Sequence, residues 1–316
     1  MLKKISIRKI ILSSVALFAI MLLYLIPSNE KLKVKQELEY VGKEIEGTDI
    51  FLMDKNSYVA LTSAPVVEKD IEKRAKELIK ILTVGGMDSK VPSGFSAILP
   101  PDTEVLSITY DHEVLKINFS KDLLDIDKKL EEKMIEALVY TLTSIEKVDK
   151  IIIYVEGDIL TKLPKTKINL PATLDRSFGI NKEFNLTSTK DITDVTVYYI
   201  NQINENYYYV PVTKYLNDDR EKIKIVIEEL GSSSIYNTNL MSFLNDNVKL
   251  LSVEQIEDTL NLNFNEYIYS NLDTKEILEE VIYTICLSIE DNYDVNQIVF
   301  NVNNEEIYKS LLKSIE

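Results

Sequence analysis

Two serine–lysine pairs have the spacing of a nucleophile motif. Ser144 with Lys147 and Ser310 with Lys313 both fit S-x-x-K, in which a lysine amine three residues on activates a serine hydroxyl for acyl transfer. The K-T-G and S-D-N elements that complete such a site are absent, and a pattern with two free positions arises readily in a chain rich in serine and lysine. No G-x-S-x-G occurs. A Ser–His–Asp triad would have to use the one histidine, His112, which stands between Asp111 and Glu113 in a turn and reads as a solvated surface residue. Glu131-Glu132 and Glu279-Glu280 could supply the two carboxylates of glycoside hydrolysis, a chemistry suited to a cell-wall protein. They fall off the apolar stripes of their helices, so a solvated face is the simpler reading. Asp122, Asp125 and Asp127 lack the sixth-position glycine and twelfth-position glutamate of a calcium loop. Gly85-Gly86 follows a helix rather than opening one, which is wrong for a phosphate cradle. The one cysteine, Cys286, excludes an intramolecular disulfide and a Cys-based zinc site, and reads as a buried, inert thiol. The sequence therefore offers no catalytic, cofactor-binding or metal-binding residue, and favours a binding or scaffolding protein over an enzyme.

Net charge points the same way. The 316 residues carry 36 Lys and Arg against 51 Asp and Glu, for a net charge of -15. Four of the bases, Lys3, Lys4, Arg8 and Lys9, precede the first acid, Glu30, so beyond them 32 bases face 51 acids. A body this acidic repels phosphate backbones and anionic membrane surfaces, and nucleic acid is excluded as a partner. The basic segment 1–9 precedes an apolar run from Ile10 to Ile26 that Pro27 ends. At about 1.5 Å per residue this run spans about 25 Å, a little short of a bilayer core, and flanking Arg8 and Lys9 can snorkel to the interface. A cleavable signal peptide would end in small residues of A-x-A type; here the run ends Tyr24-Leu25-Ile26-Pro27. Residues 10–26 thus read as an uncleaved, single-pass signal anchor in the cell membrane. Four bases before it and Lys31, Lys33 and Lys35 after it give a modest bias toward a cytoplasmic amino terminus and an extracytoplasmic bulk.

The elements behind the anchor occur twice. Val105–Tyr110 and the alternating Leu115, Ile117 and Phe119 read as paired strands, and so do Leu250–Glu254 and the alternating Leu260, Leu262 and Phe264. Leu106 and Leu251 are 145 apart, as are Phe119 and Phe264. A helix follows in each copy, with Leu130, Met134, Leu138, Thr141, Leu142 and Ile145 on one stripe, and Leu278, Val281, Ile282, Ile285 and Ile289 on the other. Tyr140-Thr141 answers Tyr283-Thr284 at 143, and Ile145-Glu146 answers Ile289-Glu290 at 144. Strands at 151–155 and 297–302 close the copies. Upstream, hairpins at 49–62 and 195–213 each lead into a helix, near 67–82 and 219–230. The expected fold is α+β: two ββαββαβ modules, each one sheet covered by helices. The organisation reads as a juxtamembrane linker at 27–44, a first domain at 45–157, a connection at 158–191, a second domain at 192–308 and a tail at 309–316. Tyr198, Tyr199, Tyr207, Tyr208 and Tyr209 crowd one hairpin; strand tyrosines usually pack across a sheet, and a partner surface is the alternative.

Leu99-Pro100-Pro101-Asp102-Thr103, Ile117-Asn118-Phe119-Ser120, Leu138-Val139-Tyr140-Thr141-Leu142-Thr143 and Tyr154-Val155-Glu156-Gly157 together resemble the motifs of the GerMN domain. The second copy keeps Asn263-Phe264-Asn265 and Tyr283-Thr284-Ile285 but shows Asn245-Asp246-Asn247 in place of the proline turn, and so is degenerate. Leu174 to Asn181 joins the copies as in tandem members of the family. The resemblance covers about residues 45 to 308. It implies an envelope protein of sporulation and spore germination, related in fold to ring-building motifs and acting in a complex between mother cell and forespore. The expected partners are other envelope proteins of the sporulation machinery and the membrane through residues 10–26, with self-association and peptidoglycan left open. Members are often lipoproteins; without a lipobox cysteine, the anchor substitutes. The alternative function is a peptidoglycan-binding module or cell-wall hydrolase of the general envelope.

Overall fold

The computed structural model describes residues 47–232 and 239–311, all within the unit Tyr40–Glu316. The basic segment 1–9, the expected anchor at 10–26, the linker at 27–44 and residues 312–316 of the tail lie outside the described residues. Among the described residues no helix is long and apolar enough to cross a membrane.

In the first repeat, β1 (Thr48–Asp54) and β2 (Val59–Ala64) form a hairpin. The buried Asp54 closes its turn by accepting from the amides of Asn56 and Tyr58, both at 2.8 Å. Helix α1 (Ile71–Leu82) starts where Asp70 caps it, accepting from the amide of Lys73 at 3.0 Å. It therefore begins later than the apolar pattern suggested, and Val67 is left exposed. Gly86 follows because a Cβ there would meet the Lys80 carbonyl oxygen at 2.3 Å. The short β3 (Phe95–Ser96) pairs with the end of β1. Strands β4 (Val105–Asp111) and β5 (Val114–Phe119) form a hairpin whose turn is His112-Glu113, both at positive φ. Helix α2 (Glu131–Leu142) then carries the chain to β6 (Lys150–Val155), parallel to β5, with β7 (Asp158–Ile159) on its far side.

The second repeat follows the same plan. Strands β9 (Thr193–Ile203) and β10 (Asn206–Leu216), helix α3 (Lys222–Gly231), strands β11 (Leu250–Ile256) and β12 (Thr259–Phe264), helix α4 (Glu279–Asn292), and strands β13 (Gln297–Val302) and β14 (Glu305–Leu311) succeed one another. Even a β-bulge is duplicated, between Val105 and Ser107 in β4 and between Leu250 and Ser252 in β11.

The expectation of one sheet per module is corrected by the way the strands pair. β4 to β7 and β11 to β14 form a four-stranded sheet in each repeat, but the two upstream hairpins join in a single six-stranded sheet. The contact is antiparallel, Leu61 of β2 opposite Tyr209 of β10, and β8 (Glu183–Asn185) runs parallel to the end of β10. Each hairpin alone would expose an edge of unpaired amides and carbonyls; pairing edge to edge removes both. The cores interlock at this point. Tyr198 of the second repeat packs in the first core, and Ala60 of the first packs in the second.

Hydrogen bonds fix the true equivalences along the repeat. The amide of Phe51 donates to the Thr141 hydroxyl of α2 at 2.9 Å, and the amide of Tyr198 donates to the Ser288 hydroxyl of α4 at 2.9 Å. Both donors and both acceptors are 147 apart. Val114 pairs with Lys150 and Thr259 with Gln297, so β6 and β13 also lie at 147. The helix matches at 143 and 144 were therefore displaced by about one turn. Tyr283-Thr284 lies one turn before the residues that stand where Tyr140-Thr141 stands. A helix repeats its burial pattern nearly every four residues, so sequence similarity alone tolerates that slip.

Candidate functional site

The described residues that were candidates for chemistry do not assemble into a catalytic site. The Ser144 hydroxyl donates to the Tyr140 carbonyl and accepts from Arg176 Nη2, each at 2.8 Å. Lys147 sits at positive φ, and its exposed ammonium lies 3.8 Å from Glu146. Ser310 is buried beside Cys286, and Lys313 lies outside the described residues. Burial pushes the Cys286 thiol up to about 12, against the opposing hydrogen bond with Ser310. His112 projects into solvent and pairs with Asp111. Asp122, Asp125 and Asp127 do not converge: among the described residues no three His, Cys, Asp or Glu side chains are grouped to hold a metal ion.

Two carboxylates depart from the solvated-face reading. Glu131 is fully buried at the start of α2, where it accepts from the Lys165 amide at 2.9 Å and from the Thr166 amide and hydroxyl at 2.6 Å. Burial alone would raise its pKa, but the Thr166 hydroxyl and the two amides outweigh it and hold the carboxyl below its usual range. Glu132 pairs with Lys182 at 2.9 Å. Both are drawn inward because residues 158–191 are wrapped against the first repeat, with Leu163, Leu170, Leu174 and Ile180 in its core. On α4, by contrast, Glu279 is exposed and Glu280 half-buried. The tyrosine hairpin follows the packing reading, since Tyr198, Tyr199 and Tyr208 are buried and Tyr207 is the exposed member, edge-on to Phe243.

A buried polar constellation lies on the seam between repeats. Phe51 faces Leu61 in one hairpin and Tyr198 faces Pro211 in the other, so Leu61 and Pro211 are counterparts about a local two-fold axis. Pro211 has no N–H to give to β2. The side chain of Asn181 fills the gap: its Oδ1 accepts from the Val59 amide at 3.0 Å, and its Nδ2 donates to the Val59 and Pro211 carbonyls at 2.8 Å. Asn181 sits at φ +45°, and its own amide donates to Glu136 at 3.0 Å. Glu136 is 2% exposed. Burial pushes its carboxyl up to about 7, against the Asn181 amide and the charges of Lys182 and Lys133, with Glu132 adding to the rise.

Arg176 spans the same seam. Its guanidinium reaches Thr143 and Ser144 in the first repeat and pairs with Asp291 in the second. Asp291 is 147 residues beyond Ser144, so one side chain holds the two equivalent positions. Tyr198 donates to the other oxygen of the buried Asp291 at 2.8 Å, and Arg176 lies over the rings of Tyr140 and Phe51. Sequence reasoning did not single out Arg176, Asn181, Asp291 or Glu136 as a group. The available signal was the segment Leu174 to Asn181 itself. Chemically this constellation joins the repeats and presents no nucleophile beside a base.

Comparison with known proteins gives a consistent result. The family model Germane, described as sporulation and spore germination, matches residues 49–161 and again 196–308. The chain is 32% identical over 266 residues to the spore germination protein GerM of Bacillus subtilis (strain 168), covering 81% of this chain and 71% of that one. The solved tandem GerMN domains of the sporulation protein GerM from Bacillus subtilis superpose with a TM-score of 0.73 at 29% identity, covering 82% of this chain and 91% of that structure.

Proposed function

Because this chain belongs to the Germane family of sporulation and spore germination proteins, we propose that it acts in sporulation as a non-catalytic, extracytoplasmic scaffold. In this reading residues 10–26 anchor it to the membrane, and the tandem unit helps assemble an envelope complex between mother cell and forespore. The observation that carries the reading is the seam. Asn181, Glu136, Arg176 and Asp291, all tied into one buried polar seam, hold the two modules as one body. A scaffold needs that rigidity, and confinement to one membrane raises the effective concentration of weakly docking partners.

The test is deletion of the gene in its source organism, with heat-resistant spores counted with and without a complementing copy. The expected result is a large loss restored by the copy. Normal counts with normal germination would overturn the sporulation role. Release of muropeptides from purified peptidoglycan by the full chain would overturn the non-catalytic role and favour a wall hydrolase.

A further inference from the structure

The central sheet buries its inner edges, but each repeat keeps an outer strand, β4 or β11, paired on one side only among the described residues. At the duplicated bulge these strands expose Leu106 and Leu251. The two edges are otherwise treated differently. In the first repeat, Glu72 of α1 accepts from the Tyr110 amide at 3.0 Å, which takes one outward donor of β4, and the Tyr110 hydroxyl ties the strand to the Lys147 carbonyl at 2.8 Å. Among the described residues no such hydrogen bond from α3 reaches β11. The two-residue turn Glu257-Asp258 makes Ile256 and Thr259 a bonded pair, and alternation then turns the backbone groups of Val253 and Gln255 outward. An edge left this way is a template for another strand.

The charge around that edge selects what can pair with it. Residues 249–280 hold eight acids and two lysines, one of which, Lys275, is paired with Glu305. The corresponding stretch of the first repeat, 104–133, holds eight acids and five lysines. Exposed large apolar side chains are also concentrated in the second repeat: Leu251, Ile256, Tyr267, Leu272 and Leu278, against Leu106 alone in the first stretch. Tyr267 lies close to the start of β11, because Asn265 accepts from the Lys249 amide at 3.0 Å.

We propose that the free edge of β11 docks an extended, basic segment of a partner protein in which lysine or arginine alternates with apolar residues. The segment adds as a strand through the backbone groups of Val253 and Gln255. Its apolar face continues the cover over half-buried Val253, which packs on the second core. Its cations lie on the opposite face with Glu254, Glu257 and Asp258, and their aliphatic stems cover Leu251 and Ile256. An anionic polymer or lipid surface has the wrong sign for this site. The inference rests on the scaffold reading and names the chemistry of one partner.

The experiment uses the full chain in detergent micelles and a short fluorescent peptide alternating lysine with valine, read by anisotropy. Saturable binding that weakens with added salt is expected, with no binding of a peptide alternating glutamate with valine. Gln255→Pro deletes one outward N–H of an open edge and should abolish binding at an unchanged unfolding midpoint. Reversing Glu254→Lys and Glu257→Lys together should weaken binding at least about tenfold, whereas Asp125→Lys with Glu146→Lys, the same change of charge in the first repeat, should leave it nearly unchanged. Equal binding of the acidic peptide, or equal effects of the two charge reversals, would overturn the site. So would full binding by a folded Gln255→Pro chain. Such a failure would leave the spore count, and with it the scaffold reading, untouched.

Discussion

Replacing Glu136 by glutamine should make the protein more stable above pH 7 and remove part of its dependence on pH. Glu136 is buried at the seam, accepts from the Asn181 amide, and has its carboxyl pushed up to about 7 from an ordinary value near 4.5. Between those values the native state holds a proton at this position and the unfolded chain does not. Stability therefore falls as pH rises through the window from about 4.5 to about 7, and the contribution levels off above it. A shift of that size corresponds to about 3 kcal/mol, each pKa unit being worth about 1.4 kcal/mol. Glutamine keeps the volume and an Oε1 to accept from Asn181, but cannot ionise. It forgoes attraction to Lys133 and Lys182, so the net gain of Glu136→Gln at pH 8 should be about 1–3 kcal/mol, shrinking toward zero or reversing near pH 5. Urea unfolding followed by circular dichroism at several pH values between 5 and 8 measures both chains. The other carboxylates titrate in both, so the difference isolates this one. A difference that does not change with pH would refute the assignment of a neutral native carboxyl to Glu136.

Asn181→Ala should lower unfolding free energy by about 3 kcal/mol, because it strands the Val59 amide and the Val59 and Pro211 carbonyls inside the central sheet; urea midpoints check it. Arg176→Met should cost about 3–5 kcal/mol in the same assay, since it leaves the fully buried Asp291 side chain without its cation. Asp291→Asn paired with Arg176→Met should recover part of that loss, and no recovery would count against the ion pair as the cause. Cys286 should resist an aromatic disulfide reagent at pH 8 in the native protein and react fully in guanidinium, because burial pushes its thiol up to about 12.

The repeat was legible because its signals are local. Alternation in Leu115, Ile117 and Phe119, the helix stripe from Leu130 to Leu142, and their recurrence in the second copy each depend on neighbours within one element. The pairing of Leu61 with Tyr209 depends on chain segments far apart in sequence, and neither residue type advertises it. Pro211 in a central strand even argues against such a pairing, until Asn181 is seen to supply the missing donor. Glu131 misled for a related reason. Its place on the helix wheel is polar, and what buries it is the Lys165-Thr166 turn of a segment without periodicity of its own. The connection at 158–191 showed no element in the sequence because its buried residues, Leu163, Leu170, Leu174 and Ile180, are spaced irregularly. Irregular spacing is what a chain shows when it wraps a surface instead of forming a helix or strand.

Duplication explains why the two repeats need not do the same work. Fusion through β2 and β10 uses the same edge of each hairpin, so both copies are constrained there; Arg176 holds the equivalent positions Ser144 and Asp291, and Asn181 bridges Val59 to Pro211 across the join. The outer strands carry no such mutual constraint. The first repeat occupies one outward amide of its own through Glu72 and Tyr110, and it has five lysines against its eight acids. The second keeps the bulge and the exposed leucine but lacks most of the balancing lysines, and among the described residues no helix carboxylate takes an outward amide of β11. An acidic, partly apolar open edge costs solubility unless something covers it, and net charge limits self-pairing because two such edges repel. A basic strand laid on that edge would cover its apolar groups and neutralise its acids, so under the proposed docking the second repeat's departures from the first serve one purpose.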